Sequence, residues 1–186
     1  TAYVESKVRA ERAAWEIAVR LGRRGDLVTI NPGGIYGPLL DEDPGTSAQI
    51  VLRLLNGSIP MAARIALPAV DVRDVAALHL KAMTDTGAGG RRFPLSAGSP
   101  SLFEMANALR PAFPRYARKL PRGEVPDWLV RIFAFLDNDT RDNIGELGAY
   151  RVADARDAET LLGRPPIPVP EALEATARSA IAHGLV

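Results

Sequence analysis

The chain has 186 residues, enough for one domain or at most two. Its 23 basic and 22 acidic residues leave a net charge of +1, which excludes the strong basic excess of a nucleic-acid footprint. With 47% apolar and 24% charged residues it has the composition of a globular protein, not of a disordered one.

Residues 1–21 carry the first helical pattern. Tyr3, Lys7, Ala10, Ala14, Ile17 and Leu21 recur at steps of four and three, one face of an α-helix, and that face is expected to meet the core. Glu16 and Arg20 form a favourable i,i+4 pair elsewhere on it, and Gly22 caps its end. No start signal precedes the helix, so the chain reads as the C-terminal part of a longer protein. Leu27–Ile30, bounded by Gly25-Asp26 and Asn31-Pro32-Gly33-Gly34, is expected as a buried strand. Helix, short loop and strand make half of a parallel α/β repeat.

Residues 38–46 should form a loop, Ser47–Leu55 a short helix and 65–70 a small strand. Asp71 caps a helix whose apolar stripe is Val72, Val75, Ala76, His79 and Met83, which places His79 in the core. Thr86–Gly90 breaks that helix, Arg92–Ala97 is a strand, and Ser101 with Glu104 forms a capping box. From Pro111 to Arg122 the chain should be irregular, with Arg115, Arg118, Lys119 and Arg122 solvated. Pro126 opens an apolar helix with Leu129, Ile132, Phe133 and Leu136 in register. A short helix ends at Leu161-Leu162-Gly163. Pro170 starts the last one, with Leu173, Ala177, Ala180 and Ile181 on one stripe and Gly184 at its end.

No cysteine is present, which removes disulfides, thiolate metal sites and cysteine nucleophiles and fits a cytoplasmic location. His79 and His183 are the only histidines and lie far apart, so no metal site is expected. No apolar run approaches the ~20 residues that cross a bilayer.

The residues that suggest chemistry begin with Tyr3 and Lys7. At i and i+4 they share a helix face. An ammonium beside a phenol stabilises the phenolate, which makes a tyrosine usable in proton transfer. The alternative is a boundary tyrosine with a lysine reaching to water. About 20 residues later the predicted strand ends in Asn31-Pro32-Gly33-Gly34-Ile35-Tyr36-Gly37-Pro38, where open α/β sheets bind ligands and where glycine permits close approach. The alternative there is an ordinary strand-ending turn.

Taken in order, Tyr3-x-x-Ser6-Lys7 with Ala10-Glu11, Asn31-Pro32-Gly33 with Gly37-Pro38, Thr46-Ser47, Val70-Asp71-Val72-Arg73-Asp74-Val75 with His79, Arg92-Phe93 and Gly184-Leu185-Val186 resemble the extended short-chain dehydrogenase/reductase family. The likeness is to its dihydroflavonol-reductase and cinnamoyl-CoA-reductase branch with the bacterial aldehyde and ketone reductases. It implies an α/β fold: the C-terminal part of a Rossmann-type doubly wound parallel sheet, plus a mostly helical substrate-binding lobe. Residues 1–37 would close the dinucleotide-binding sheet with the catalytic helix. Residues 38–186 would be mainly lobe, with segments near 65–97 returning to the sheet.

The resemblance further implies an NADP(H)- or NAD(H)-dependent reductase of an aldehyde or ketone. Tyr3 matches the catalytic tyrosine. Lys7 matches the lysine that contacts the nicotinamide ribose. Pro32, Gly33, Gly34 and Ile35 match the segment along the nicotinamide, and Ser47 a position that contacts cofactor phosphate. The substrate would be a small-molecule carbonyl, with neither nucleic acid nor membrane as partner, and a homodimer is left open. A sugar-nucleotide epimerase or dehydratase, which shares the Tyr-x-x-x-Lys pair, is the alternative within enzymes. A non-catalytic fragment is the alternative outside them. The family's glycine-rich fingerprint and its carbonyl-orienting serine or threonine belong before Thr1, so these 186 residues alone are expected to be inactive.

Overall fold

The structure, a computed structural model, describes residues 2–133, 145, 147–149 and 152–186. Helix α1 (Ala2–Arg20) leads through a single 3-10 turn at Arg24–Asp26 into β1 (Thr29–Pro32) and β2 (Gly34–Tyr36). Next come α2 (Thr46–Asn56), β3 (Ala69–Asp71), α3 (Val72–Thr84), β4 (Arg92–Leu95) and α4 (Leu102–Ala112). The last three helices are α5 (Asp127–Phe133), α6 (Arg156–Leu162) and α7 (Val169–Ala182).

Among the described residues both strand pairs are parallel, and only isolated bridges, Ala66 to Ser101 and Ala69 to Gly98, are antiparallel. β1 runs beside β4 with Thr29 opposite Arg92, and β2 beside β3 with Gly34 opposite Ala69. Parallel partners need long crossovers, which α2 and α3 provide. The result is the expected α/β arrangement of parallel strands wrapped by helices. Gly22, Gly163 and Gly184 all adopt the left-handed conformation that ends a helix, and the Ser101–Glu104 capping box opens α4. Among the described residues no helix is long and apolar enough to cross a membrane, and no group of acidic and histidine side chains could hold a metal.

The core has two parts. Leu54 and Leu55 of α2, Met105 and Leu109 of α4 and Leu173 of α7 enclose Tyr36. On the other side Val70, Phe93 and Leu95 of the strands pack on Val75 and Leu78 of α3 and on Ala158 of α6.

Several elements depart from the sequence-based expectation. The first strand starts at Thr29, not Leu27, and is half-buried, because β4 flanks it on one side. The 65–70 strand narrows to Ala69–Asp71, while Ala66 forms only an isolated bridge to Ser101. Helix α1 contains no fully buried residue: Ile17 and Leu21 of the expected core stripe are exposed. The helix instead sets Glu11, Ala14, Trp15 and Ala18 half-buried against the body, so only Ala14 of the predicted face belongs to the contact.

Helix α3 is also turned. Met83 is 82% exposed and His79 lies at the surface, its Nδ1 2.8 Å from the Val75 carbonyl, so His79 is not a core residue. Of the expected stripe Val75 does face inward, but beside it stand Asp74 and Leu78 rather than His79 and Met83. Asp74 turns inward because partners meet it there: Arg164 Nη2 donates at 2.5 Å and the Ile167 amide at 2.6 Å. In α5, Trp128 and Ile132 are exposed, and Leu136 lies outside the described residues.

Candidate active site

Tyr3, Val4, Lys7, Val8 and Glu11 line one wall of an open cleft of about 910 Å³. These positions follow the i, i+4 row of α1, so successive side chains stack along the helix. Further lining comes from β1 and Gly33, from Ile35 to Leu39, from Gly45 to Ala48 at the start of α2, and from Val72 and Arg92. The cleft therefore lies beyond the C-terminal end of β1, where open α/β sheets receive ligands.

Tyr3 and Lys7 stand on this wall and not in the core. Tyr3 is 69% exposed, and the Lys7 ammonium sits 5.5 Å from the centroid of its ring. Tyr36, the other tyrosine of the lining, differs sharply. Its ring is buried, its hydroxyl faces the Met105 sulfur at 4.0 Å, and burial pushes its phenol up to about 12. Tyr36 is thus a poor proton donor near neutral pH, whereas Tyr3 stands exposed on the cleft wall.

What holds α1 in place is Glu11, to which sequence reasoning assigned no role. Its carboxylate accepts from Arg92 Nε at 2.7 Å, Asn31 Nδ2 at 3.0 Å, Thr29 Oγ1 at 3.1 Å and Trp15 Nε1 at 3.4 Å. One side chain thereby ties α1 to both β1 and β4. Arg92 above all, helped by Asn31 and Trp15, holds the Glu11 carboxyl below the usual carboxylate range, against the opposing effect of burial. The signal in the sequence was the run of Tyr3, Lys7 and Glu11 at steps of four.

The lowered Glu11 value carries a pH dependence. A depressed folded-state value contributes stability above the unfolded value near 4.5, and that contribution is lost as pH falls through the folded one. Acidification below about pH 4.5 is expected to loosen α1 before the rest unfolds. Trp15 emission, read in a Trp128→Phe background, should report that step. Glu11→Gln should abolish it, and a step that persists in Glu11→Gln would place the tie elsewhere.

Of the residues expected to meet a cofactor, Tyr3, Lys7, Pro32, Gly33, Ile35 and Ser47 all line the cleft. Gly34 packs behind it, where a Cβ would lie 3.3 Å from the Pro68 carbonyl oxygen. Gly33 is constrained by the protein itself: a Cβ there would sit 2.5 Å from that same oxygen. A side chain at 33 would therefore displace the loop, so Gly33→Val is expected to disturb the fold here as well as any ligand.

Two features suit this end of the cleft to an anionic ligand, and a third, an orphan acceptor, suits it to a hydrogen-bond donor. The N-cap of α2 is Gly45, with no side-chain cap, so the first amides of the helix point out uncapped. Ser47 Oγ accepts from the Ile35 amide at 3.2 Å, and its own proton has no acceptor among the described residues. Asn31 Oδ1, buried in the cleft floor, lacks a donor. With Lys7 on the facing wall, these groups fit the ribose, phosphate and carboxamide of a nicotinamide nucleotide.

No family model matches the chain. Ketoreductase azaE of Aspergillus niger is 36% identical over 152 residues, 77% of this chain and 45% of that protein. Cinnamoyl-CoA reductase 1 of Arabidopsis thaliana is 37% identical over 114 residues, 61% of this chain and 32% of that protein. The chain thus spans less than half the length of these curated relatives. Among solved structures, yeast methylglyoxal/isovaleraldehyde reductase Gre2 complexed with NADPH superposes on 100% of this chain and 52% of its own, with a TM-score of 0.71 at 22% identity. A nucleoside-diphosphate-sugar epimerase from Pseudomonas aeruginosa covers 99% of this chain and 56% of its own, with a TM-score of 0.77 at 20% identity. These two share the fold. The reductase sequences, together with the Tyr3–Lys7 pair at the mouth of the cleft, place the chain in the extended short-chain dehydrogenase/reductase family.

Proposed function

We propose that the protein reduces an aldehyde or ketone to an alcohol with NADPH, and that this chain supplies its catalytic helix and carbonyl-binding lobe. The observation that carries the reading is the wall of α1, where the exposed Tyr3 side chain and Lys7 share one cleft with Pro32, Gly33, Ile35 and Ser47. Residues 1–37 form the end of the dinucleotide-binding sheet in this reading, and residues 38–186 mainly the lobe.

The chemistry supplied by a bound nicotinamide is the hydride that reaches the carbonyl carbon. Tyr3 donates its hydroxyl proton to the carbonyl oxygen, so C=O becomes CH–OH and Tyr3 is left as phenolate. Lys7 steadies that negative charge and returns a proton to it. Glu11 keeps both side chains aimed by fixing the helix one turn further on. Ser47 and the first turn of α2 bind phosphate, and Pro32 to Ile35 lie along the nicotinamide.

The test uses the protein expressed from its complete reading frame. Carbonyl-dependent NADPH consumption is expected with a panel of small aldehydes, 2-oxoaldehydes and β-keto esters, and at lower efficiency with NADH. Failure with every carbonyl, together with epimerisation of a nucleoside-diphosphate sugar, would overturn it in favour of the epimerase reading.

A further inference from the structure

One edge of β2 pairs with β3, and the other meets no strand among the described residues. Along that open edge the alternate amides of Ile35, Gly37 and Leu39 are each taken by a side-chain hydroxyl. Ser47 Oγ accepts from Ile35 at 3.2 Å, Thr176 Oγ1 from Gly37 at 2.7 Å and Ser179 Oγ from Leu39 at 2.9 Å. Pro38, between the last two, has no N–H to leave unsatisfied. Three hydroxyls therefore stand where a neighbouring strand would be.

The two from α7 come from the far end of the chain, and their chemistry has one direction. Thr176 gives its own proton to the Ala172 carbonyl at 3.0 Å and Ser179 to the Ala175 carbonyl at 2.9 Å. With both protons bound inside the helix, only acceptor lone pairs face the loop. The spacing also matches. Residues three apart on a helix are neighbours on one face, and amides two apart on extended backbone point to the same side. The loop so held has little freedom elsewhere: Gly37 sits at φ +127°, and a Cβ there would lie 2.7 Å from Val72 Cγ1.

Gly37, Pro38 and Leu39 line the cleft just beyond the segment assigned to the nicotinamide. We infer that Thr176 and Ser179 are positioning residues, which hold the Gly37–Leu39 wall and so set the space open to the carbonyl substrate. The inference rests on the reading of the cleft as a carbonyl-reducing site. Neither hydroxyl touches substrate.

The experiment compares Thr176→Val, which keeps shape and removes the acceptor, with Thr176→Ser, which keeps the acceptor, and with Ser179→Ala. Amide hydrogen exchange by NMR is expected to quicken ~10-fold or more at Gly37 in Thr176→Val and at Leu39 in Ser179→Ala, the scale of one lost buried hydrogen bond. In the protein from its complete reading frame, KM for the carbonyl should rise by about the same factor while the NADPH dissociation constant stays put. Thr176→Ser should restore both. Unchanged exchange at both amides overturns the inference, as does faster exchange with an unchanged KM. Should Thr176→Val not fold, Ser179→Ala at its half-buried position carries the same test. A wild-type protein that reduces no carbonyl would overturn the reading of the cleft instead, and exchange at Gly37 and Leu39, which needs no cofactor, still decides whether the hydroxyls hold the wall.

Discussion

Tyr3→Phe is expected to lower the turnover of carbonyl reduction by ~10²-fold or more, the scale of a lost general acid. The substitution removes one oxygen and keeps the ring. Because Tyr3 is 69% exposed and takes no part in the core, neither packing nor stability should change. The position of α1 depends on the Glu11 carboxylate, two turns away, and is untouched. Nor can the neighbouring phenol take over: Tyr36 points at Met105 in the core, and burial holds its proton to about 12. The loss should therefore fall on kcat, with the NADPH dissociation constant close to wild type. Measured beside it, Tyr36→Phe should leave kcat within a few-fold. A Tyr3→Phe protein with wild-type kcat would remove Tyr3 from the chemistry and leave the cleft without its proton donor.

Local chemistry was legible where the signal is local. Proline, glycine and capping residues marked the loop after Gly37, the α4 capping box and the glycine ends of three helices, and the structure has each of them. The Tyr3–Lys7 spacing and the segment after Ile30 pointed to one cleft, and the structure brings them together, although that segment is the end of β1 and the short strand β2 and not a turn. What periodicity could not supply was the rotation of a helix about its axis. For α1 the row through Ala10, Ile17 and Leu21 is apolar, yet the row through Glu11, Ala14, Trp15 and Ala18 makes the contact, because a carboxylate with four donor groups outweighs a few exposed aliphatic side chains. The same blindness applied to α3, where an inward aspartate was invisible until Arg164, 90 residues later, was seen beside it. Sequence distance also hid Thr176 and Ser179, since two hydroxyls on an apolar helix carry no local mark of what they accept.

The pair behind that second error supports the other large effect. Asp74 is fully buried, whereas the Arg164 side chain that meets it at 2.5 Å is 45% exposed. The pair locks α3 to the segment after α6, and the Ile167 amide completes the carboxylate at 2.6 Å. Removing one partner of a buried pair usually costs about 3–5 kcal/mol, because the remaining charge is stranded away from water. Here the two halves are not equivalent. Arg164→Met strands the enclosed carboxylate and should destabilise by about 3 kcal/mol, the lower end of that range because water reaches the arginine side. For a chain of this size that is roughly 2–4 °C of melting temperature per kcal/mol. Asp74→Leu leaves an arginine free to turn to solvent, so its cost should be smaller and come mainly from the unpaired Ile167 amide. Combining Arg164→Met with Asp74→Leu should recover much of the arginine variant's loss, since no charge is then stranded, and leave the cost of the unpaired Ile167 amide. Urea titrations of the three variants would show this order, with the single arginine variant least stable and the double variant close to Asp74→Leu. Additive losses in the double variant would mean that the two side chains stabilise the fold independently, and that something other than Arg164 turns Asp74 into the core.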